Sequence, residues 1–151
     1  MPRYSKAKNN QKVFLDSSAV IAAALSEKGG SFFLFQQAKQ DRISLFISEA
    51  VSQEATMAVQ RKYPDKLPIL SKLLSNFPVN LIKDASEKSV KLTSHLIHPK
   101  DAPVLAAALK HKMEFLVTFD QEHFFTPEIK QAKLPLKILT PGDFIQKCLK
   151  P

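Results

Sequence analysis

Residues 100–120, Lys-Asp-Ala-Pro-Val-Leu-Ala-Ala-Ala-Leu-Lys-His-Lys-Met-Glu-Phe-Leu-Val-Thr-Phe-Asp, put a carboxylate at each end of one helix-then-strand unit. The alanine-rich run 104–109 suits a buried helix, and 115–118 has the length and apolar character of a buried strand. Asp101 then stands at the helix start and Asp120 just past the strand end. Ligands of parallel α/β sheets bind beyond the carboxyl ends of the strands. Both acids can therefore reach one cleft.

Two further acids fit the same place. Residues 12–15 read as a short strand ending in Asp16, followed by Ser17, Ser18 and an apolar helical run. Either serine can cap that helix through its hydroxyl, and Asp16 can terminate the strand, cap the helix or hold a hard cation. In Ile-Ser-Leu-Phe-Ile-Ser-Glu-Ala-Val-Ser-Gln-Glu (43–54), a strand leads to Ser48 as N-cap and then to a helix. Glu54 lies among Ala50, Val51, Ala55 and Ala58, the spacing of a buried face, where a carboxylate needs a partner. Glu49 is better explained by a favourable interaction with the helix dipole. Glu54 is thus the fourth candidate.

The coarse pattern predicts strands at 12–15, 43–47, 79–82, 115–118 and 137–139. Helices are predicted at 17–27, 31–40, 49–63, 66–76, 86–96, 102–112 and 141–149. Alternating strands and helices imply an α/β fold with a parallel sheet covered on both faces. Residues 1–11, polar and basic, read as a tail before a single domain at 12–150. Cys148, the sole cysteine among 151 residues, cannot form an intrachain disulfide. With no leader pattern and no long apolar span, a soluble protein of a reducing, cytoplasmic compartment is expected.

The motifs in order, Phe14-Leu-Asp16-Ser-Ser18, Ile47-Ser48-Glu-Ala-Val-Ser-Gln-Glu54, Lys100-Asp101-Ala-Pro-Val-Leu-Ala-Ala-Ala and Leu116-Val-Thr118-Phe-Asp120-Gln-Glu-His-Phe124, resemble the PIN-domain ribonucleases. They are similar in particular to the single-domain VapC-type toxins, over residues 13–144. The resemblance implies a three-layer α/β/α sandwich with a mainly parallel central sheet. It also implies a Mg²⁺- or Mn²⁺-dependent ribonuclease with Asp16, Glu54, Asp101 and Asp120 as catalytic and metal-holding acids. Ser18 would orient Asp16, Thr118 would supply a supporting hydroxyl, and the products would carry 5′-phosphate and 3′-hydroxyl ends. A small antitoxin and structured RNA are the partners it implies. Where some relatives place another carboxylate after the last aspartate, this chain has Glu122 and His123.

Elementary electrostatics leads independently to a cation. Two carboxylates about 4 Å apart repel by roughly 4 kcal/mol at an effective dielectric of 20, so four of them must protonate, separate or bind a positive ion. All-oxygen donors favour Mg²⁺ or Mn²⁺ over Zn²⁺, and the expected reaction is hydrolysis by in-line attack of metal-activated water. The chain carries 22 Lys plus Arg against 14 Asp plus Glu, a formal charge of +8. A basic excess outside an acidic cleft suits a phosphate backbone. Lys100, Arg61 and Lys62 are the nucleic-acid-binding candidates, with Lys110, Lys112, Lys12 and the tail residues Arg3, Lys6 and Lys8 behind them.

Other features receive plainer readings. His98 and His123 lack a paired metal-ligand spacing and read as solvent-facing or packing residues. Phe32, Phe33 and Phe35 read as core with one ring exposed, Gly29-Gly30 as a helix terminator, and Asp143 as a first-turn helix acid. Three glycines, none in a Walker or dinucleotide pattern, argue against nucleotide-cofactor enzymes. The helices within 49–76, broken at Tyr63-Pro64, allow a homodimer. The remaining alternative is a non-catalytic PIN-like module that binds RNA or protein without turnover.

Overall fold

Five short apolar runs become strands in the computed structural model, which describes residues 10–150: β1 (Gln11–Leu15), β2 (Ile43–Ser48), β3 (Val79–Ile82), β4 (Phe115–Val117) and β5 (Lys137–Leu139). They form one sheet in the order β3-β2-β1-β4-β5, and every neighbouring pair is parallel. Parallel pairing forces each connection back across a face of the sheet, so helices cover both faces. The result is the three-layer α/β/α sandwich with a parallel centre that the motifs imply. From β1 the chain winds outward to β2 and β3, then returns past β1 to β4 and β5. The sheet reverses its order between β1 and β4, and such a switch point opens a crevice at the strand ends.

The helices are α1 (Ser17–Leu25), α2 (Gly30–Lys39), α3 (Glu49–Lys62), α4 (Leu67–Asn76), α5 (Glu87–Thr93), α6 (Ala102–Lys110), α7 (Gln121–Phe124), α8 (Pro127–Gln131) and α9 (Pro141–Lys147). Ser48, Ser86, Thr126 and Thr140 cap α3, α5, α8 and α9 by accepting a backbone N–H, which satisfies donors that the first turn leaves unpaired. The α3 cap agrees with the sequence reading, and so does Glu49 in its first turn. α1 differs: Asp16 is its N-cap position without a side-chain cap bond, and neither Ser17 nor Ser18 caps it. Gly29-Gly30 opens α2 rather than closing α1. A Cβ on Gly30 would stand 3.3 Å from Ile145 Cδ1 and 3.4 Å from Pro141, so the small residue lets α9 approach.

The core is continuous from Val13, Phe14 and Leu15 through Leu45, Leu105, Leu116 and Phe144, all fully buried or nearly so. Phe35 is buried, Phe32 is partly buried, and both meet the Phe77 ring edge-on at 5.9 and 5.7 Å. Phe33 is the exposed ring of the three. α7 and α8 are absent from the sequence reading, which leaves 124–133 unassigned. α6 ends at Lys110 instead of 112 because Lys112 takes a left-handed φ of 55°, outside helical space. β1 starts at Gln11, whose amide donates to the Cys148 carbonyl at 2.8 Å. The expected tail otherwise falls at residues 1–9, outside the described residues. Among the described residues no helix is long and apolar enough to cross a membrane.

Candidate active site

The register of β1 against β4 pairs Leu15 with Val117, and the next residues of both strands therefore emerge side by side. Asp16 N–H donates to the Val117 carbonyl at 3.0 Å. Its Oδ2 accepts from the buried Thr118 hydroxyl at 2.7 Å and from the Ser18 hydroxyl at 3.2 Å. Ser18 Oγ in turn accepts the Phe119 N–H, and Thr118 Oγ1 accepts the Asp120 N–H, each at 3.0 Å. Two hydroxyls thus lock Asp16 to the turn carrying Asp120, the positions the resemblance implies for Ser18 and Thr118.

Asp101 and Asp120 are brought together by a residue the sequence reading set aside. His123 Nδ1 lies 2.9 Å from Asp101 Oδ2 and 2.9 Å from Asp120 Oδ2. Hydrogen-bond geometry holds toward Asp120, whereas Asp101 Oδ2, a buried atom of a residue only 8 % exposed, has no hydrogen-bond partner. Asp120 Oδ1 also accepts the His123 N–H at 3.2 Å, capping the short helix α7. The His98 ring stacks at 4.8 Å from that of His123. His98 is exposed, in keeping with the solvent-facing reading, whereas the reading of His123 is corrected: it stands between two of the four acids.

Glu54 takes a different position from the one its neighbours suggest. The buried stripe of α3 is Val51, Ala55 and Val59, and Glu54 lies beside it on the exposed border. Its carboxylate accepts the Ser17 hydroxyl at 2.6 Å, which is the role Ser17 performs in place of capping. Glu54 also raises the Asp16 and Asp101 carboxyls through its charge. It therefore belongs to the same field as the other three acids.

Burial, and after it the charges of Glu54 and Asp101, pushes the Asp16 carboxyl up to about 6 against the opposing hydrogen bonds from Thr118 and the Ser17 backbone. Burial and then the charge of Asp120 likewise raise Asp101, with His123 partly offsetting them. The hydrogen bond to Asp120 raises the His123 imidazole, assisted by the charges of Asp120 and Asp101. These directions describe a pocket short of positive charge. A divalent cation fits it: the buried Asp101 Oδ2 lacks a partner, and His98, Asp101 and His123 each offer one ligand atom within 4.8 Å of the others.

From the acids a groove of about 520 Å³ runs along α1 and α3, lined by Ser17, Glu54, Met57, Arg61, Lys62 and Lys100 among others. Arg61, Lys62 and Lys100 are exposed, and among the described residues none of them forms an ion pair. The other basic candidates stand elsewhere. Lys110 Nζ contacts the Asp84 carbonyl at 3.4 Å, and Lys12 Nζ lies 5.7 Å from the centre of the Phe46 ring. Arg3, Lys6 and Lys8 lie outside the described residues.

A profile described as "PIN domain" matches residues 12–122. The chain belongs to the PIN domain family. No curated protein matches it significantly. Among solved structures, the PIN domain is similar to VapBC2 from Rickettsia felis bound to a promoter DNA fragment, at 18 % identity over 85 % of this chain and 97 % of that one, with a TM-score of 0.60. PAE2754 from Pyrobaculum aerophilum aligns at 18 % identity over 84 % of this chain and 89 % of that one, also at 0.60. VapC20 of Mycobacterium tuberculosis, described as a sarcin-ricin-loop-cleaving toxin, aligns at 16 % identity over 81 % and 95 %, at 0.54. At these identities the likeness is one of fold.

The Asp16 shift gives this PIN domain a defined pH dependence. The folded-state pKa lies above the ordinary value of 3.8, so the contribution of Asp16 to stability is complete below about pH 4 and is lost as pH rises through about 6. Ionisation costs the metal-free fold on the order of 3 kcal/mol. In excess EDTA, Asp16→Asn is expected to melt higher than wild type at pH 8, by several degrees, with the advantage disappearing at pH 4. Calorimetry at the two pH values checks this, and equal melting curves at pH 8 would refute it.

Proposed function

We propose that this PIN domain is a divalent-cation-dependent ribonuclease. The observation that carries the reading is the meeting of Asp16, Asp101, Asp120 and Glu54 at the β1/β4 switch point, with one buried carboxylate oxygen left without a hydrogen bond. Asp16, Asp101 and Asp120 hold the cation, with Glu54 at the rim. A cation held there supplies Lewis acidity toward water and the scissile phosphate. Thr118 and Ser18 fix the Asp16 carboxylate, and Ser17 fixes Glu54. Lys100, Arg61 and Lys62 bind the RNA backbone along the groove, offsetting the negative field that acids present to a phosphate.

The toxin component of a toxin–antitoxin pair is the biological role this reading favours. It is supported by the fold shared with VapBC2 and VapC20, and it implies a small antitoxin and an RNA target. Purified protein should cleave a mixed RNA pool with Mn²⁺ or Mg²⁺, leave 5′-phosphate ends, and stop in EDTA. Asp120→Asn should lower the rate by at least about a hundredfold and relieve growth arrest on expression in a bacterial host. Cleavage that persists in EDTA, or that leaves 2′,3′-cyclic phosphates, contradicts the mechanism. A folded protein that binds metal and RNA without cleaving either fits the non-catalytic alternative.

Arg61 and Lys62 act on binding rather than on chemistry. Each change to Ala should weaken RNA association across sequences and reduce the slope of log affinity against log salt by about 0.7 to 1. An unchanged slope would remove the residue from the path. An apolar groove of about 400 Å³ lined by Thr56, Leu67, Leu70 and Leu74 on α3 and α4 supports a homodimer. Light scattering at micromolar concentration should give twice the 16.9 kDa chain mass, and a monomer mass discards the dimer.

A further inference from the structure

Nitrogen stands beside oxygen at the candidate cation site of this chain. His123 Nδ1 is 2.9 Å from an oxygen of Asp101 and 2.9 Å from an oxygen of Asp120. It occupies the space between two carboxylates where a shared cation would be held. The imidazole proton satisfies Asp120, while Asp101 Oδ2 is aimed at the same nitrogen without a hydrogen bond. A group this close to both acids must either ligate an ion that binds between them or leave. Leaving is opposed by a ring contact: the His123 ring lies against that of His98, centroids 4.8 Å apart and planes tilted by 34°.

Distance also favours ligation. One atom each from His98, Asp101 and His123 lie within 4.8 Å of one another. Two ligands of a single ion bound at about 2.0–2.1 Å are separated by at most about 4 Å, so small side-chain adjustments close the set. His98 is the less direct member. Its Nδ1 accepts the Lys100 N–H at 3.1 Å, which in the neutral ring puts the proton on the other nitrogen.

We infer that His123 is a nitrogen ligand of the cation through Nδ1, which gives up its proton to solvent as the ion binds, making this a mixed imidazole–carboxylate site that selects Mn²⁺ and neighbouring first-row ions over Mg²⁺. The inference rests on the nuclease reading for the presence of a cation and goes beyond it in naming the ion class and the residue that sets it. Carboxylate oxygens alone suit Mg²⁺ and Mn²⁺ alike, whereas imidazole adds affinity for transition ions and little for Mg²⁺.

The test is binding, separate from turnover. Isothermal titration of the full chain with Mn²⁺ and with Mg²⁺, and the visible absorption of added Co²⁺, are compared for wild type, His123→Ala and Asp120→Asn, with circular dichroism as the check on folding. Wild type should prefer Mn²⁺ by at least about tenfold, and His123→Ala should remove most of that preference, alter the Co²⁺ spectrum and leave Mg²⁺ affinity nearly intact. His123→Gln, which preserves size and polarity, should behave like His123→Ala. An unchanged Mn²⁺-to-Mg²⁺ ratio in His123→Ala, or tighter binding of both ions, overturns the inference. If Asp120→Asn still abolishes binding in that case, the acidic site and the nuclease reading stand. Wild type that binds no divalent ion overturns both.

Discussion

Parallel pairing of β1 with β4 is the constraint on which the site depends. The match of Leu15 with Val117 makes Asp16 and Thr118 neighbours across the sheet, and a shift of one residue would turn the strand-end side chains to opposite faces. Everything nearby reinforces that register. The Asp16 N–H bonds to the Val117 carbonyl, the Thr118 N–H to the Leu139 carbonyl, and the hydroxyls of Ser18 and Thr118 bridge Asp16 to the Asp120 turn. Asp16 and, through the turn after β4, Asp120 are consequently set by the buried sheet, while Asp101 and Glu54 are brought to them by α6 and α3.

Holding acids in this way has an electrostatic cost, and the fold absorbs it in three places. Hydroxyls donate to Asp16, Ser17 donates to Glu54, and His123 stands between Asp101 and Asp120. None of these removes the deficit, since Asp16 and Asp101 remain raised and one Asp101 oxygen is without a hydrogen bond. A buried unsatisfied carboxylate oxygen is too costly to keep as mere structure. On the nuclease reading proposed above, it is the oxygen that a bound cation would satisfy.

Much of this was legible in the sequence because the acids coincide with element boundaries. Asp16 and Asp120 follow apolar strand runs, and Asp101 precedes an alanine-rich helix with Pro103 in its first turn. The strand runs and most helices follow from hydrophobic patterning. The residues that were harder to read fail for identifiable reasons. His123 shows no ligand spacing because its partners are one residue three positions away and another far off in the chain. α7 and α8, of four and five residues, are too short for a helical period. Their caps were visible nonetheless, in Asp120 and in Thr126 before Pro127. Left-handed Asp41, Lys112 and Lys133 carry no sequence mark, since glycine is the residue such a conformation ordinarily announces.

Glu54 illustrates how helical spacing can give an incomplete picture. Its neighbours Val51 and Ala55 are fully buried, so the three- and four-residue spacing pointed toward the core, yet its own side chain lies on the exposed border. On the proposed reading that location suits its role. A carboxylate deep in the core would have to stay neutral or be fully paired, whereas one at the border can meet solvent, Ser17 and the groove together. Along the same helix, one and two turns further on, Met57, Arg61 and Lys62 continue the lining of that groove. The sign of the surface therefore changes over roughly 10 Å of helix, from acids that repel phosphate to bases that attract it. On the proposed reading, a polyanion lying along α3 would be drawn by the basic end and would bring a phosphodiester to the acidic end only with a cation present, so attraction for RNA and competence to act on it would be two separable properties.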